Sequence, residues 1–348
     1  MTTETNNAIL TVKNLATHFP LEEGNVVAVD GASFEVPAGK TIGIVGESGC
    51  GKSVTARSIL GILDDPGHIV SGEIVYHRDG KDGAEGETID LAALDPNSKE
   101  FRNIRGSEIS YIFQEPMTSF SPVHTIGNQL MEAVRLHRDV SKSEAKDIAI
   151  DMLNQVGIPL AEQRVNQYSF ELSGGLRQRA MIAMALANVP RLVIADEPTT
   201  ALDVTTQAQI LDLMRGLQEK YGMGIMMITH DLGVIADMCE EVVVMYLGRV
   251  VERGSVDEIF HSPKHPYTKA LLESIPRLRG DAGTRLSTIE GSVPHPYDRP
   301  PGCPFNTRCS DFKEGICNVS EPQLASVESK TLHEVSCFLY HDAEGSPV

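Results

Sequence analysis

Turn residues break the first 46 positions into short apolar runs, a pattern that predicts strands rather than helices. The predicted strands lie at 9–12, 26–28, 32–36 and 41–45. The last run leads into a glycine-containing segment and then into a helical pattern over 54–63. The beginning of the chain therefore predicts several strands that end in a strand–loop–helix unit.

Helical and strand patterns alternate through the middle of the chain. Ser141 and Glu144 form a capping-box pair and Gly157 supplies a stop, so a helix is predicted over about 142–156. A second helical pattern covers 177–187. Fully apolar runs typical of strands buried on both faces follow at 192–195, 224–229 and 241–246, the last turning into 250–251. This alternation predicts an α/β fold with a mostly parallel sheet covered on both sides.

Two segments depart from that pattern. Residues 78–100 are rich in Gly, Asp and Glu, which predicts a solvated surface loop in or beside a strand pair. After about residue 260 prolines become frequent, the long apolar strands stop, and four of the six cysteines follow. We therefore predict one domain over 1–258 and a small C-terminal extension over 259–348.

Composition and charge limit the function. The 348 residues include 30 basic and 48 acidic side chains, a formal charge of −18 with a pI near 5.0, which argues against a protein that coats nucleic acid. No uncharged run approaches the roughly 20 apolar residues of a membrane-spanning helix. The polar N-terminus resembles no secretory signal. We expect a cytoplasmic protein.

A phosphate-binding loop fits the segment after the fourth predicted strand. The residues are Gly46, Glu47, Ser48, Gly49, Cys50, Gly51, Lys52 and Ser53, with Val54 opening the helix, and they match G-x-x-x-x-G-K-[ST]. In such a loop, backbone N–H groups and the helix N-terminus bind phosphate oxygens. Lys52 is then expected to reach the outer phosphates and the Ser53 hydroxyl to ligate Mg²⁺. Cys50 occupies a variable position of the loop; a side hypothesis is that the helix N-terminus lowers its thiol pKa.

Two carboxylates end the strand predicted at 192–195. Asp196 is expected to face the Mg²⁺ held by the glycine loop, and Glu197 is expected to act on the attacking water. An acid at a strand end is common, so this motif becomes specific only together with the glycine loop.

Four further strings decide the family. Residues 172–179, LSGGLRQR, match the signature of ATP-binding cassettes, which includes Ser173, Gly174, Gly175 and Gln178. Gln114 lies in a string that resembles the Q-loop of that family, Asp203 lies in one that resembles its D-loop, and His230 matches its switch histidine. Residues 9–255 therefore resemble one complete ABC ATPase domain, with a parallel-sheet core, an antiparallel β subdomain and a helical subdomain at about 120–185.

The resemblance implies a mechanism that needs two cassettes. Ser173, Gly174 and Gly175 of one cassette would bind the γ-phosphate of ATP held by the other, which is either a second copy or a related subunit. Glu197 would polarise the water, while His230 and Gln114 would sense the γ-phosphate. Mg²⁺ would be held through Ser53, Gln114 and Asp196. Phe19 matches the position that stacks on adenine, although a buried core aromatic is the alternative interpretation.

Closer resemblance leads to the ATP-binding subunits of oligopeptide/dipeptide importers, a group that includes nickel and some oligosaccharide systems. It rests on QEPMTS at 114–119, HPYTKALL at 265–272 and the cysteine-containing tail. It implies two transmembrane permease subunits, an extracytoplasmic solute-binding protein and a place on the cytoplasmic face of the inner membrane. The cargo is not encoded in the chain. The alternative is a soluble ABC ATPase acting on the ribosome or nucleic acid.

The four tail cysteines form the last candidate site. Cys303, Cys309, Cys317 and Cys337 are separated by five, seven and nineteen residues, and four thiolates suit either tetrahedral Zn²⁺ or an iron–sulfur cluster. The importer resemblance implies a [4Fe–4S] cluster, with zinc, unligated thiols and disulfides as alternatives. We expect such a group to staple the proline-rich extension.

Overall fold

The computed structural model describes residues 8–79, 86–115, 119–200, 202–274, 289–295, 297–327, 332–342 and 345–346. These residues form two compact units. The first contains 36–41 and 93–228, and the second contains 10–35, 42–92 and 229–348.

The strands, in chain order, are β1 (Ala8–Leu21), β2 (Gly24–Pro37), β3 (Thr41–Val45), β4 (His68–Arg78), β5 (Glu87–Asp90), β6 (Ile109–Ile112), β7 (Leu192–Asp196), β8 (Gly224–Ile228), β9 (Glu241–Tyr246), β10 (Arg249–Ser255), β11 (Ala325–Ser326) and β12 (Glu334–Val335). The helices are α1 (Lys52–Ile59), α2 (Lys99–Ile104), α3 (Ile126–His137), α4 (Lys142–Gln155), α5 (Ala161–Arg164), α6 (Gly174–Leu186), α7 (Val204–Tyr221), α8 (Leu232–Met238), α9 (Val256–His261) and α10 (Pro266–Glu273). Two 3₁₀ turns, Ser169–Glu171 and Asn306–Arg308, complete them.

The first unit contains three parallel strands in the order β6-β7-β8. Every residue of β7 and β8 is buried, as their uninterrupted apolar sequences predict. The helices α3, α4 and α6 lie between β6 and β7 in the chain, and Val134 and Ala145 of the first two pack in one apolar cluster with Ala187. Helix α4 begins at the predicted capping box of Ser141 and Glu144. The alternation of strand and helix in the sequence is thereby confirmed for this unit.

The second unit contains two sheets. One is antiparallel, in the order β2-β1-β4-β5, and the other has the order β11-β12-β10-β9-β3, with β3 parallel to β9. Strand β2 runs through Gly31, which has φ +72°, and therefore joins two runs that the sequence analysis kept separate. The acidic segment at 78–100 does join a strand pair, β4 and β5, although residues 80–85 lie outside the described residues.

The chain beyond residue 260 is attached to the second sheet. Strand β12 pairs antiparallel with β10, with Val335 opposite Glu252. Helix α10 begins with Pro266 in its first turn, and the buried Tyr267 and Phe305 pack against Tyr246 of β9. In the part of the chain that the structure describes, no helix is long and apolar enough to cross a membrane. The boundary predicted at 258 stays a prediction.

Candidate functional site

The glycine loop after β3 has the backbone that phosphate binding requires. Gly46, Gly49 and Gly51 have φ values of +149°, +80° and +99°, which side-chain-bearing residues rarely adopt. A Cβ on Gly46 would lie 2.2 Å from the carbonyl oxygen of Met245, and one on Gly51 would lie 2.4 Å from that of Ala28. The loop therefore needs glycine at both positions, and it ends at the N-terminus of α1 as predicted.

Lys52 is buried, and its ammonium donates hydrogen bonds to the backbone at the start of the same loop. Its Nζ donates to the carbonyl oxygens of Gly46 at 2.8 Å and Glu47 at 3.1 Å. Its amine thus lies against the loop backbone, within the segment that would surround phosphate oxygens. Ser53 and Val54 follow it in the first turn of α1.

The expectation for Cys50 is wrong. Burial raises the pKa of this thiol, and the nearby charge of Lys52 and its hydrogen bonds only partly oppose that effect. The thiol is therefore protonated at neutral pH. Desolvation by the surrounding protein outweighs the helix N-terminus here.

Phe19 lies near the end of β1 and is half-buried. A Cβ on Gly67 would lie 2.4 Å from Cε1 of its ring, so the ring packs closely on the backbone of that glycine. Stacking of the Phe19 ring on adenine stays a prediction.

The two carboxylates at the end of β7 are held by different partners. Asp196 is buried and accepts a hydrogen bond of 2.6 Å from the hydroxyl of Tyr111 on β6. Glu197 has a left-handed backbone at φ +48°, and its Oε2 accepts from Gln114 Nε2 and from Thr200 Oγ1, both at 2.9 Å. The structure therefore brings Gln114 and Glu197 together, which the sequence analysis did not foresee. Strained backbone at such a position is common at functional sites.

The signature segment opens α6. Ser173 is the N-cap residue, and Ser173 and Gly174 are exposed, while an added Cβ on Gly174 would meet nothing within 4 Å. The buried Gln178 instead faces inward and donates its amide to the carbonyl oxygen of Pro198. Backbone N–H groups at the start of this thirteen-residue helix can donate hydrogen bonds to an anion from outside the chain.

Asp203 and His230 each lie in a short connection between a strand and the helix that follows it. Asp203 caps α7, accepting from Thr206 N at 3.0 Å and Thr206 Oγ1 at 2.7 Å, and these hydrogen bonds lower its pKa. Ala201, in the same predicted D-loop, lies outside the described residues, as do residues 116–118 after Gln114. His230 is exposed, directly after β8 and before Asp231, which caps α8.

The four tail cysteines line one small cavity, together with His265 and Phe305. Burial, together with the smaller effect of the neighbouring Cys337, Cys317 and Cys309, raises the pKa of Cys303 to about 12. Among the described residues, no group of three or more His, Cys, Asp or Glu side chains is arranged to hold a metal ion. The metal site at these cysteines therefore stays a prediction.

The predicted residues thus fall into two sets, each within one compact unit. The first unit contains Gln114, the signature, both carboxylates and Asp203, while the second contains Phe19, the glycine loop, His230 and the cysteines. Three contact residues were missed: Tyr111, Tyr267 and Arg308. Of these, only Tyr267 lay in a string that the sequence analysis had singled out.

Comparison with known proteins gives two family matches. Residues 29–200 match the family described as "ABC transporter". Residues 251–317 match the family described as "Oligopeptide/dipeptide transporter, C-terminal region".

Relatives of known name cover almost the whole chain. A Brucella melitensis protein named as a peptide import ATP-binding protein is 51% identical over 326 residues, which is 92% of this chain and 94% of its own length. The dipeptide transport ATP-binding protein DppD of Escherichia coli K12 is 46% identical over 317 residues, covering 91% and 93%. DppD of Haemophilus influenzae is 44% identical over 341 residues, covering 98% of both.

Solved structures resemble the cassette portion. A dimeric ATP-binding cassette in a post-hydrolysis state, bound to ADP and phosphate, is 27% identical with a TM-score of 0.60, covering 71% of this chain and 98% of its own. A Clostridium perfringens protein that is part of an ABC transporter complex is 26% identical with a TM-score of 0.59, covering 74% and 92%.

Proposed function

Because this chain belongs to the ATP-binding subunits of oligopeptide/dipeptide-type ABC transporters, we propose that Gly46–Ser53 bind the phosphates of its ATP. The protein is an ATPase that powers import through a multi-subunit transporter. The alternative, an ABC ATPase acting on ribosomes or nucleic acid, is not favoured, since the named relatives are import proteins.

The side chains around the loop suit this role. Lys52 would exchange the loop carbonyls for phosphate oxygens. Ser53, Gln114 and Asp196 each carry an oxygen donor of the kind that Mg²⁺ prefers, and they would ligate it. Bound there, Mg²⁺ would neutralise charge on the phosphates. Tyr111 orients Asp196 through its 2.6 Å hydrogen bond. Glu197 is oriented by Gln114 and Thr200 to accept a proton from the attacking water, and His230 would contact the γ-phosphate.

The signature would act on ATP held by a second cassette. The exposure of Ser173 and Gly174 supports this role, since their backbone N–H groups can reach a phosphate outside the chain. The cassette structure that resembles this chain is a dimer. Closure of the dimer on ATP and reopening after hydrolysis would then drive transport, and the second cassette is either identical or related.

One observation carries the site proposal: Lys52 is buried against the backbone of a glycine-rich loop at the start of a helix. The test is the affinity of the purified chain for ATP. Lys52→Ala should weaken binding at least tenfold, while Lys40→Ala, which changes an exposed lysine outside the loop, should leave it unchanged. Wild-type affinity in Lys52→Ala would refute the proposal.

We place the membrane partners on the first unit, at the cytoplasmic face of the inner membrane. Exposed apolar side chains lie beside the Gln114 loop and between α3 and α6, namely Phe113, Val123, Leu136, Leu160 and Phe170. Phe170 stacks on Tyr168 with ring centroids 5.4 Å apart, which forms a firm apolar surface. Two permease subunits would dock there, and through them the solute-binding protein would join the complex. Phe170→Asp should abolish co-purification with multispanning proteins, and unchanged co-purification would contradict this docking surface.

We also propose that the four tail cysteines hold a [4Fe–4S] cluster. The lining of one cavity by all four cysteines supports this, because four thiolates are the usual ligands of such a cluster. The cysteines would bind the cluster as thiolates, so the buried thiols would lose their protons on binding. The bound cluster would then fix the extension. Anaerobically purified protein should absorb near ~400 nm, and Cys309→Ala should lose that band. Colourless protein with stoichiometric zinc would reject the cluster.

A further inference from the structure

The glycine loop is held from outside by the C-terminal extension. Two groups of Glu47 are bound by residues of the extension. Its backbone N–H donates to the hydroxyl of Tyr267 at 2.8 Å, and its carboxylate forms a bidentate ion pair with Arg308. The two N–O distances of that pair are 2.7 and 3.1 Å. Glu47 is the second residue of the glycine loop, so these contacts act directly on the loop.

The guanidinium of Arg308 is fixed in place. Its side chain is only 3% exposed, and its Nε donates to the carbonyl oxygen of Glu290 at 3.1 Å. It also lies over the rings of Tyr246 and Phe305, at 5.8 and 5.9 Å from their centroids. A planar group with these contacts defines both the position and the direction of the carboxylate that it binds.

The position of Glu47 in turn sets that of Lys52. The carbonyl oxygen of Glu47 accepts from Lys52 Nζ at 3.1 Å and from Cys50 N at 3.3 Å. Movement of Glu47 would therefore displace the ammonium that is expected to reach the phosphates.

We propose that Arg308 and Tyr267 are positioning residues of the ATP site: they hold Glu47 so that the glycine loop is preorganised for phosphate. This inference rests on the proposed function of Gly46–Ser53. A preorganised loop loses less conformational entropy on binding, so the contacts strengthen nucleotide affinity.

The cysteine cavity is connected to Arg308 through the turn that carries this residue. Arg308 ends the 3₁₀ turn Asn306–Arg308, which lies between Cys303 and Cys309, and Phe305 lines the cavity while packing on Tyr267. Holding the two cysteines therefore holds the turn that presents Arg308. Nucleotide affinity should depend on these cysteines by the same route, since coupling between two sites is reciprocal.

The test is the dissociation constant of trinitrophenyl-ATP for the purified full-length chain, with melting temperature recorded in parallel. Arg308→Gln and Glu47→Gln should each weaken binding about tenfold, and the double variant should be no weaker than either, because both remove one interaction. Tyr267→Phe, which keeps the buried ring, should weaken binding about fivefold. Arg308→Lys should recover part of the loss. In hydrolysis assays, KM should rise while kcat stays nearly constant.

The matched control is Arg299→Gln. Arg299 is a second arginine of the extension, and it binds residues outside the glycine loop: the Asp30 carboxylate at 2.9 Å and the carbonyl oxygen of Leu247. It should lower the melting temperature without changing nucleotide affinity. Cys309→Ser should weaken nucleotide binding as much as Arg308→Gln does. The double variant should bind no more weakly than Arg308→Gln alone.

Three outcomes separate the possibilities. Unchanged affinity in Arg308→Gln and Tyr267→Phe, with Lys52→Ala still impaired, would overturn this inference and leave the ATP site standing. Equal losses in Arg308→Gln and Arg299→Gln would also overturn it, since the effect would then be general destabilisation. Wild-type affinity in Lys52→Ala would instead refute the proposed ATP site itself.

Discussion

Glu252 is the buried anchor between β10 and the extension, and Glu252→Gln should destabilise the protein strongly. The carboxylate is fully buried, and backbone N–H groups donate to both oxygens: Lys264 to Oε1 at 2.6 Å and His265 to Oε2 at 3.0 Å. His333 Nε2 adds a contact of 2.7 Å to Oε1. Burial alone would raise the pKa of Glu252, but these hydrogen bonds lower it overall, so the group is ionised at neutral pH.

The magnitude follows from the arrangement of donors. A glutamine must turn its NH₂ toward one of the two positions, and each position faces a backbone N–H. At least one buried N–H therefore loses its acceptor, and the remaining hydrogen bonds lose their ionic character. We expect a loss of about 2–4 kcal/mol.

Thermal unfolding followed by circular dichroism measures the effect, which should be a drop of roughly 3–5 °C in melting temperature. Glu321→Gln is the matched control, because Glu321 is 47% exposed in its ion pair with Arg249 and should cost at most about 1 kcal/mol. Equal stability of Glu252→Gln and wild type would refute the account of how the extension is attached.

Three further predictions concern local contacts. Tyr111→Phe removes the hydroxyl that orients Asp196, and it should raise the Mg²⁺ concentration for half-maximal ATPase activity by about three- to tenfold, with unchanged affinity as the contradicting result. Asp203→Ala removes the cap of α7 and should cost about 1 kcal/mol in denaturant unfolding, whereas Asp203→Asn should be nearly neutral; an unaffected Asp203→Ala would exclude the capping role. Burial lowers the pKa of His265 to about 4, despite the opposing charge of Glu252, so stability should be constant above pH 6.5 and fall as the pH drops from 6.5 toward 4. A melting temperature that does not change over that window would contradict a neutral His265.

Much of the fold could be predicted because helix caps and apolar runs in the sequence mark the ends of helices and strands directly. Helix α4 was placed within a residue, since a capping box begins it and Gly157 follows its end. Strands β3 and β9 were placed correctly because both are fully or almost fully buried and apolar. Strand β2 was divided in error, because Asp30 and Gly31 interrupt the apolar pattern although the strand runs through them.

The site was predictable only where motifs are contiguous. The glycine loop was recognised as a string, but the partners of its second residue were not. Glu47 and Arg308 are 261 positions apart, and Tyr111 and Asp196 are 85 apart, so no local pattern connects them. The pKa of Cys50 was predicted in the wrong direction because burial, which the sequence does not show, outweighs the helix N-terminus.

The central claim is that this ATPase uses Glu197 on ATP bound at Gly46–Ser53. Its most direct test is to measure ATP affinity and steady-state hydrolysis by Glu197→Gln in the assembled transporter. Loss of the proton acceptor should lower turnover about 10²–10⁴-fold, while ATP affinity stays within about threefold of wild type. Near-normal hydrolysis by Glu197→Gln would contradict the account.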